Sequence, residues 1–254
     1  MRRPWISLIA ASIILLILGS YYLELEKGTS GISVLPDEIP AKQGFQTLDE
    51  KFGFGSDAPA LVVIEGDVGS DAFVTALTTL EQSIIDDNGL QAPQVRIEPS
   101  VNLASFTSNI PGDPQNQSAL NTIRRIRADL IPDAFIGVPE GSYTAYVGGS
   151  SAEVVDSVKV TDDYLPIVFA SVLSLSFILL LFAFRSLVIS IASIVMNLLS
   201  VAAAYGLVVL VFQKGFLIDV FGFEQVDQIE FWLPLFMFSI LFGLSMDYHV
   251  FMLS

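Results

Sequence analysis

The sequence contains no cysteine and a single histidine, His249. Disulfide staples, thiol catalysis and zinc–cysteine sites are therefore excluded, and one histidine cannot by itself build a metal site. Charge is also scarce. Only 15% of the 254 residues are Asp, Glu, Lys or Arg, where a soluble domain carries about a quarter. Positive charge is scarcest, with Lys+Arg 12 against Asp+Glu 27 and a net charge of −15. Phosphate binding needs a basic stripe, so no nucleic-acid partner is expected. What fills the chain is apolar: 52% of residues are hydrophobic and the mean hydropathy is +0.63. That composition argues against a soluble cytosolic enzyme and predicts a membrane protein.

Four long apolar runs lie within residues 1–22 and over 165–184, 187–212 and 232–254. At about 1.5 Å per residue, each makes a helix of roughly 27–39 Å, enough to cross a bilayer core. Arg2 and Arg3 precede the first run, and Arg185 sits in the tight turn between the second and third. Residues 23–164 carry 22 acidic residues against 8 basic ones, and the loop at 213–231 is acidic too. Short cytoplasmic loops favour Lys and Arg, so the N-terminus and Arg185 are expected inside and the large acidic region outside, at a cell membrane. The rival reading of the first run is a secretory signal peptide. It is disfavoured because the apolar run continues through Tyr21 and Tyr22 without an Ala-x-Ala site.

Residues 23–164 are long enough to hold their own core. Phe45, Leu48 and Phe52 stand at helical spacing over 39–52, a glycine-rich turn follows at 53–59, and 60–64 suits a buried strand. Phe73, Leu77, Leu80 and Ile84 form one helical stripe, with Ser70 as its N-cap candidate and Asn88-Gly89 closing it. Residues 94–98 alternate as a strand does. Leu120, Ile123, Ile126 and Leu130 mark a second helix, which Pro132 is expected to stop, and 142–147 reads as a further strand. The predicted fold is thus an α-helical membrane protein with an inserted α+β extracytoplasmic domain of the ferredoxin-like split βαβ type. Ser150-Ser151-Ala152-Glu153 has capping-box spacing and opens a helix leading into the second span. That helix is either a plain connector or a stiff element that transmits motion.

Few residues outside the apolar pattern suggest chemistry. Phe52-Gly53-Phe54-Gly55-Ser56 holds a G-x-G without a third glycine, which reads as a turn rather than a dinucleotide site. Arg124, Arg125 and Arg127 read as a solvated helix face or intradomain ion pairs, with a lipid-headgroup contact as the alternative. In the third span, Asn197 and Ser200 accompany Ala202, Ala203, Ala204 and Gly206, a combination that suits close helix packing. Pro234 sits in the first turns of the fourth span, where a missing N–H costs little.

Asp247 stands apart. It lies deep in an otherwise uncharged helix, where a carboxylate costs about 3 kcal/mol or more and marks an ion or proton path. Gly243, one turn earlier, makes room for a neighbouring helix, and Tyr248 adds a hydroxyl able to relay a proton. The bland alternative is an Asp bonded only for packing.

The stretch from Gly243 to Ser254, GLSMDYHVFMLS, closely resembles the fourth-span signature of a repeat in the MMPL family of the RND transporter superfamily. Phe184-Arg185-Ser186-Leu187 is similar to that family's cytoplasmic turn, and Asn197-Leu198-Leu199-Ser200-Val201 with Phe212-Gln213 to its next span. Leu35-Pro36 and the stretch from Phe52 to Val63 resemble the start of its porter domain. The resemblance implies a proton-driven exporter of lipids or other hydrophobic molecules, built from two repeats of six spans. It implies that Asp247 and Tyr248 form one proton relay, that no cofactor is required, and that this chain is a fragment. The wording Ser-Met-Asp-Tyr is more similar to the second repeat, so the other repeat or oligomeric partners are expected to complete the bundle. The competing reading is a non-transporting receptor or scaffold whose outer domain binds lipid or a protein. A membrane enzyme is third, since no Ser/His/Asp set or paired carboxylates support one.

Overall fold

The structure, a computed structural model, describes residues 4–52, 59–139, 141–222 and 224–253. In chain order it runs α1 (Pro4–Ser20), β1 (Lys27–Gly28), α2 (Pro40–Phe52), β2 (Ala60–Gly66), α3 (Asp71–Asp86), β3 (Gln94–Glu98) and β4 (Leu103–Ser108). Then follow α4 (Gln117–Arg125), α5 (Ile131–Ala134), β5 (Tyr143–Gly148), α6 (Ser150–Phe184), α7 (Leu187–Val208), α8 (Ile218–Phe221), β6 (Ile229–Glu230) and α9 (Leu233–Leu253). The chain divides into two units: Met1–Lys27 with Val158–Ser254, and Gly28–Ser157.

In the unit Gly28–Ser157, four antiparallel strands lie in the order β3-β4-β2-β5. Val62 of β2 pairs with Phe106 of β4 on one side and Val147 of β5 on the other. Alternation along β2 buries Ala60, Val62 and Ile64, and along β4 it buries Ala104, Phe106 and Ser108. The core forms between that sheet face and two helical stripes. α3 contributes Phe73, Ala76, Leu77, Leu80 and Ile84, and α4 contributes Ala119, Leu120 and Ile123. Phe73 meets Phe135 edge to face at 5.5 Å, and Phe135 lies 4.3 Å from Tyr143.

Several expectations are corrected here. β4 was not anticipated, because its inward residues include the small Ala104 and the polar Ser108, which blur the alternation. Pro132 does not stop its helix. The chain widens into a π turn over Ile126–Leu130, with Ile131 N–H donating to the Ile126 carbonyl, and helical structure resumes through Ala134. Ser70 stands at the N-cap of α3, but its hydroxyl donates to the Asp67 carbonyl at 3.2 Å instead. Asn116 does cap α4, accepting from Ala119 N–H at 2.7 Å. The capping box at Ser150 is not made. Helix α6 already starts at Ser150 behind Gly149, and the Ser150 hydroxyl has no partner among the described residues. The glycine-rich stretch 53–58 lies outside the described residues.

Among the described residues, three helices are long and apolar enough to cross a membrane: Trp5–Glu24, Ser150–Phe184 and Leu187–Gln213. The fourth expected span is helical over Leu233–Leu253, about 32 Å of helix. Its side chains are described as far as Ser245 and are apolar over most of that length. α6 holds Pro166 in its interior, which removes the N–H that would bond the Asp162 carbonyl. At the turn into α7, Arg185 adopts φ 47°, and the Ser186 hydroxyl accepts from Ile189 N–H at 3.4 Å.

Candidate functional site

Helix α7 organises the helical unit. Its buried stripe reads Ser190, Ser193, Asn197, Val201 and Tyr205, at spacings of three and four that keep one face inward. The neighbouring face is small, and α1 packs on it closely. A β-carbon at Gly206 would fall 1.7 Å from the Leu18 carbonyl oxygen, and one at Gly19 would fall 3.3 Å from Cβ of Ala202. In lipid, where apolar burial gives no driving force between helices, such backbone approach is what holds two spans together.

On the inward stripe, α7 meets α9. Val201, Tyr205, Phe238 and Phe242 form the centre of a cluster that also takes in Tyr22, Phe169, Val172 and Leu173. Phe169 stacks on Phe238 at 3.9 Å, Phe238 lies 5.2 Å from Phe242, and Tyr22 lies 5.1 Å from Tyr205. The Tyr205 hydroxyl donates to the Pro234 carbonyl, which gives a buried polar tip its partner.

The ends of α1 and α7 near Glu24 and Gln213 are tied together by backbone and side chains. After Val208 the chain makes a π turn, and Lys214 N–H donates to the Val209 carbonyl at 2.9 Å. Gln213, at the end of that turn, accepts from Glu26 N–H at 3.3 Å and donates to the Glu24 carbonyl at 3.4 Å. Ile229 N–H donates to the Glu26 carbonyl at 2.8 Å, Lys214 pairs with Glu24 at 2.6 Å, and Lys27 pairs with Asp162.

The residues singled out from sequence fall as follows. Asn197 is 3% exposed and reaches the Phe242 carbonyl through Nδ2 at 3.5 Å, while its Oδ1 has no partner among the described residues. Ser200 is exposed and bonds the Met196 carbonyl of its own helix at 3.0 Å. Among the described residues, no heavy atom lies within 4 Å of where a β-carbon on Gly243 would stand. Asp247 and Tyr248 belong to α9, but their side chains lie outside the described residues. By helical register, position 247 continues the stripe of Phe236, Ile240, Gly243 and Leu244. Phe236, Ile240 and Leu244 on it are exposed. Sequence reading missed Tyr205, and it quoted Gln213 only within a family stretch, without a role. Tyr205 was visible in principle, eight residues beyond Asn197 on the same stripe, whereas Gln213 depends on a π turn that no periodicity announces.

In the sheet unit the arginine cluster resolves into pairs. Arg125 grips Asp87 through Nε and Nη2, both at 2.7 Å. Burial acts to raise the Asp87 carboxyl pKa. The Arg125 hydrogen bond, the Gly89 N–H and the Arg125 charge outweigh it and hold the carboxyl below its usual value. The Arg125 guanidinium is raised in return, first by its hydrogen bond to Asp87. Arg127 bonds Asp156 at 2.9 Å and the Val147 carbonyl at 2.6 Å, and Arg124 bonds Asn121 at 2.7 Å. No group of three His, Cys, Asp or Glu residues with metal-holding geometry occurs among the described residues.

Long apolar helices packed through small residues define a helical membrane protein of several spans. The chain belongs to the MMPL family, whose sequence profile matches residues 102–254, more than half of its length. It is similar throughout to the mycolic acid-containing lipids exporter MmpL11 of Mycolicibacterium smegmatis, at 32% identity, and covers 26% of that protein. The heme uptake protein MmpL11 of Mycobacterium tuberculosis is 30% identical over the whole chain, again with 26% of it covered. The membrane protein YdfJ of Bacillus subtilis is 25% identical, with 34% covered. The chain thus spans about a quarter to a third of the relatives it matches.

Proposed function

We propose that this chain is part of a proton-motive-force-driven transporter of the RND superfamily that exports lipids or other hydrophobic molecules. Family membership supports transport, and the MmpL11 relative described as a lipid exporter supports the substrate class. The β-α-β-β-α-β order with strands β3-β4-β2-β5 supports reading residues 23–164 as a ferredoxin-like porter domain. We place that domain outside the membrane and Arg185 inside, following the charge of the loops.

The observation that carries the coupling is the position of residue 247. It lies about 21 Å along α9 from Leu233, and it is the only charged residue of that helix. An ionisable group at such depth is a functional group by default, and its partner comes from a facing helix or a water path. Because position 247 continues an uncovered stripe of α9, the facing helices belong to the other repeat or to oligomeric partners. In this reading Asp247 takes and releases the proton and Tyr248 relays it. Moving one charge through the membrane field supplies roughly 2.3 kcal/mol per 100 mV, enough to bias two conformations of a bundle.

The test is export by the full-length protein, normalised to its abundance in the membrane. Asp247→Asn keeps the shape and removes the proton site, so gradient-driven export is expected to vanish with insertion intact. Tyr248→Phe is expected to slow it. Wild-type export by Asp247→Asn at normal abundance overturns the proposal and returns Asp247 to packing. It would also strengthen the reading of the outer domain as a receptor or scaffold.

A further inference from the structure

Asn197 is placed where an amide is costly. Burial in a span removes it from water, and a buried amide oxygen without a donor loses most of what hydration gave it. Leucine would fill much the same volume without that loss. Yet the stripe of α7 that faces α9 carries Asn197 between Ser193 and Val201, all three buried. The amide is only half used: Nδ2 holds the Phe242 carbonyl of α9 at a long 3.5 Å, and Oδ1 meets no donor among the described residues. The surrounding cluster is aromatic and aliphatic, with Tyr22 and Tyr205 its only titratable members. No charged side chain stands on α7 or on α6 beyond Leu165.

A buried polar group left partly unsatisfied calls for an explanation, and functional or strained positions are where local rules are broken. At its start α9 is fixed by the Tyr205 hydroxyl on the Pro234 carbonyl; further along it is held by ring contacts at Phe238 and Phe242, which can slide, and there the Asn197 amide on the Phe242 carbonyl is the contact with a defined register. We propose that Asn197 is a positioning residue that reads the register of α9, holding the helix at the Phe242 carbonyl in one state. In the other state its Oδ1 accepts a donor from the next turn of α9. Ser245, three residues beyond Phe242 and so on the same face by helical register, is the hydroxyl that makes this contact, exchanging its present partner for Asn197. The inference rests on the reading that residue 247 of that helix exchanges protons, because proton exchange is what moves α9.

The test uses the full-length transporter in vesicles and pairs flux with thermal stability. Asn197→Leu removes the unsatisfied amide, so the protein is expected to unfold roughly 2–4 °C higher, while gradient-driven flux falls at least about tenfold. Asn197→Thr keeps an acceptor and is expected to restore part of that flux without the gain in stability. Should Asn197→Leu unfold at lower temperature, or leave flux unchanged, Asn197 is a packing residue and the inference is overturned. Asp247→Asn is measured beside them. If it transports normally the proton reading itself has failed, whereas loss in Asp247→Asn with normal flux in Asn197→Leu overturns only the role of Asn197.

Discussion

Gly206 of α7 lies against Leu18 of α1 so closely that a single added methyl would overlap the Leu18 carbonyl oxygen. The obstacle is backbone on both sides, so no rotamer change relieves it. Gly206→Ala is expected to force α1 and α7 apart and to cost about 1–3 kcal/mol. The loss is read as a lower unfolding temperature of the detergent-solubilised protein.

Gly44, inside α2, gives the opposite expectation. Nothing among the described residues stands within 4 Å of its missing β-carbon, so Gly44→Ala relieves a helix of glycine's entropic cost and stabilises by about 0.5–1 kcal/mol. Hydrogen exchange of the α2 amides reads this directly. Slower exchange is expected in Gly44→Ala, and unchanged exchange would show that α2 opens independently of its own propensity.

The Asp87–Arg125 pair gives the sheet unit an acid limit. Asp87 has a folded pKa below its unfolded one, so its contribution is present above the unfolded value and is lost as pH falls through the folded one. Protection of α3 and α4 amides is therefore expected to fall below about pH 4. Arg125→Met is expected to remove most of that acid dependence. It should cost about 1–3 kcal/mol at neutral pH, toward the lower end because Arg125 is more than a third exposed.

Topology is testable without background labelling, since the described chain is cysteine-free. Ser142→Cys is expected to react with a membrane-impermeant maleimide on intact cells, and Ser186→Cys only after the membrane is opened. The reverse pattern would invert the proposed orientation.

The elements most legible from sequence were those whose pattern and packing agree. The stripe Phe73, Leu77, Leu80 and Ile84 is the buried face of α3, and residues 94–98 form β3. What sequence missed involves a competing local force. At Pro132 a π turn absorbs the proline. At Ser150 the helix has already begun, so the expected capping box does not form, and β4 is written in residues too small or polar to signal a buried strand. In the helical unit Asp247 stood out because a charge in an apolar run is conspicuous. Asn197 was visible too, but only coordinates reveal that its Oδ1 meets no donor among the described residues.

The register of the sheet has an evolutionary consequence. Leu61, at the start of β2, pairs with Gly148, at the end of β5, and a β-carbon on Gly149 would fall 2.2 Å from the Pro59 carbonyl oxygen. The peptide therefore enters and leaves this four-stranded layer at one point. A segment whose two ends meet can be exchanged, enlarged or replaced while the flanking sequence keeps its course. Residues 60–148 can then change in length or content without redirecting the chain on either side.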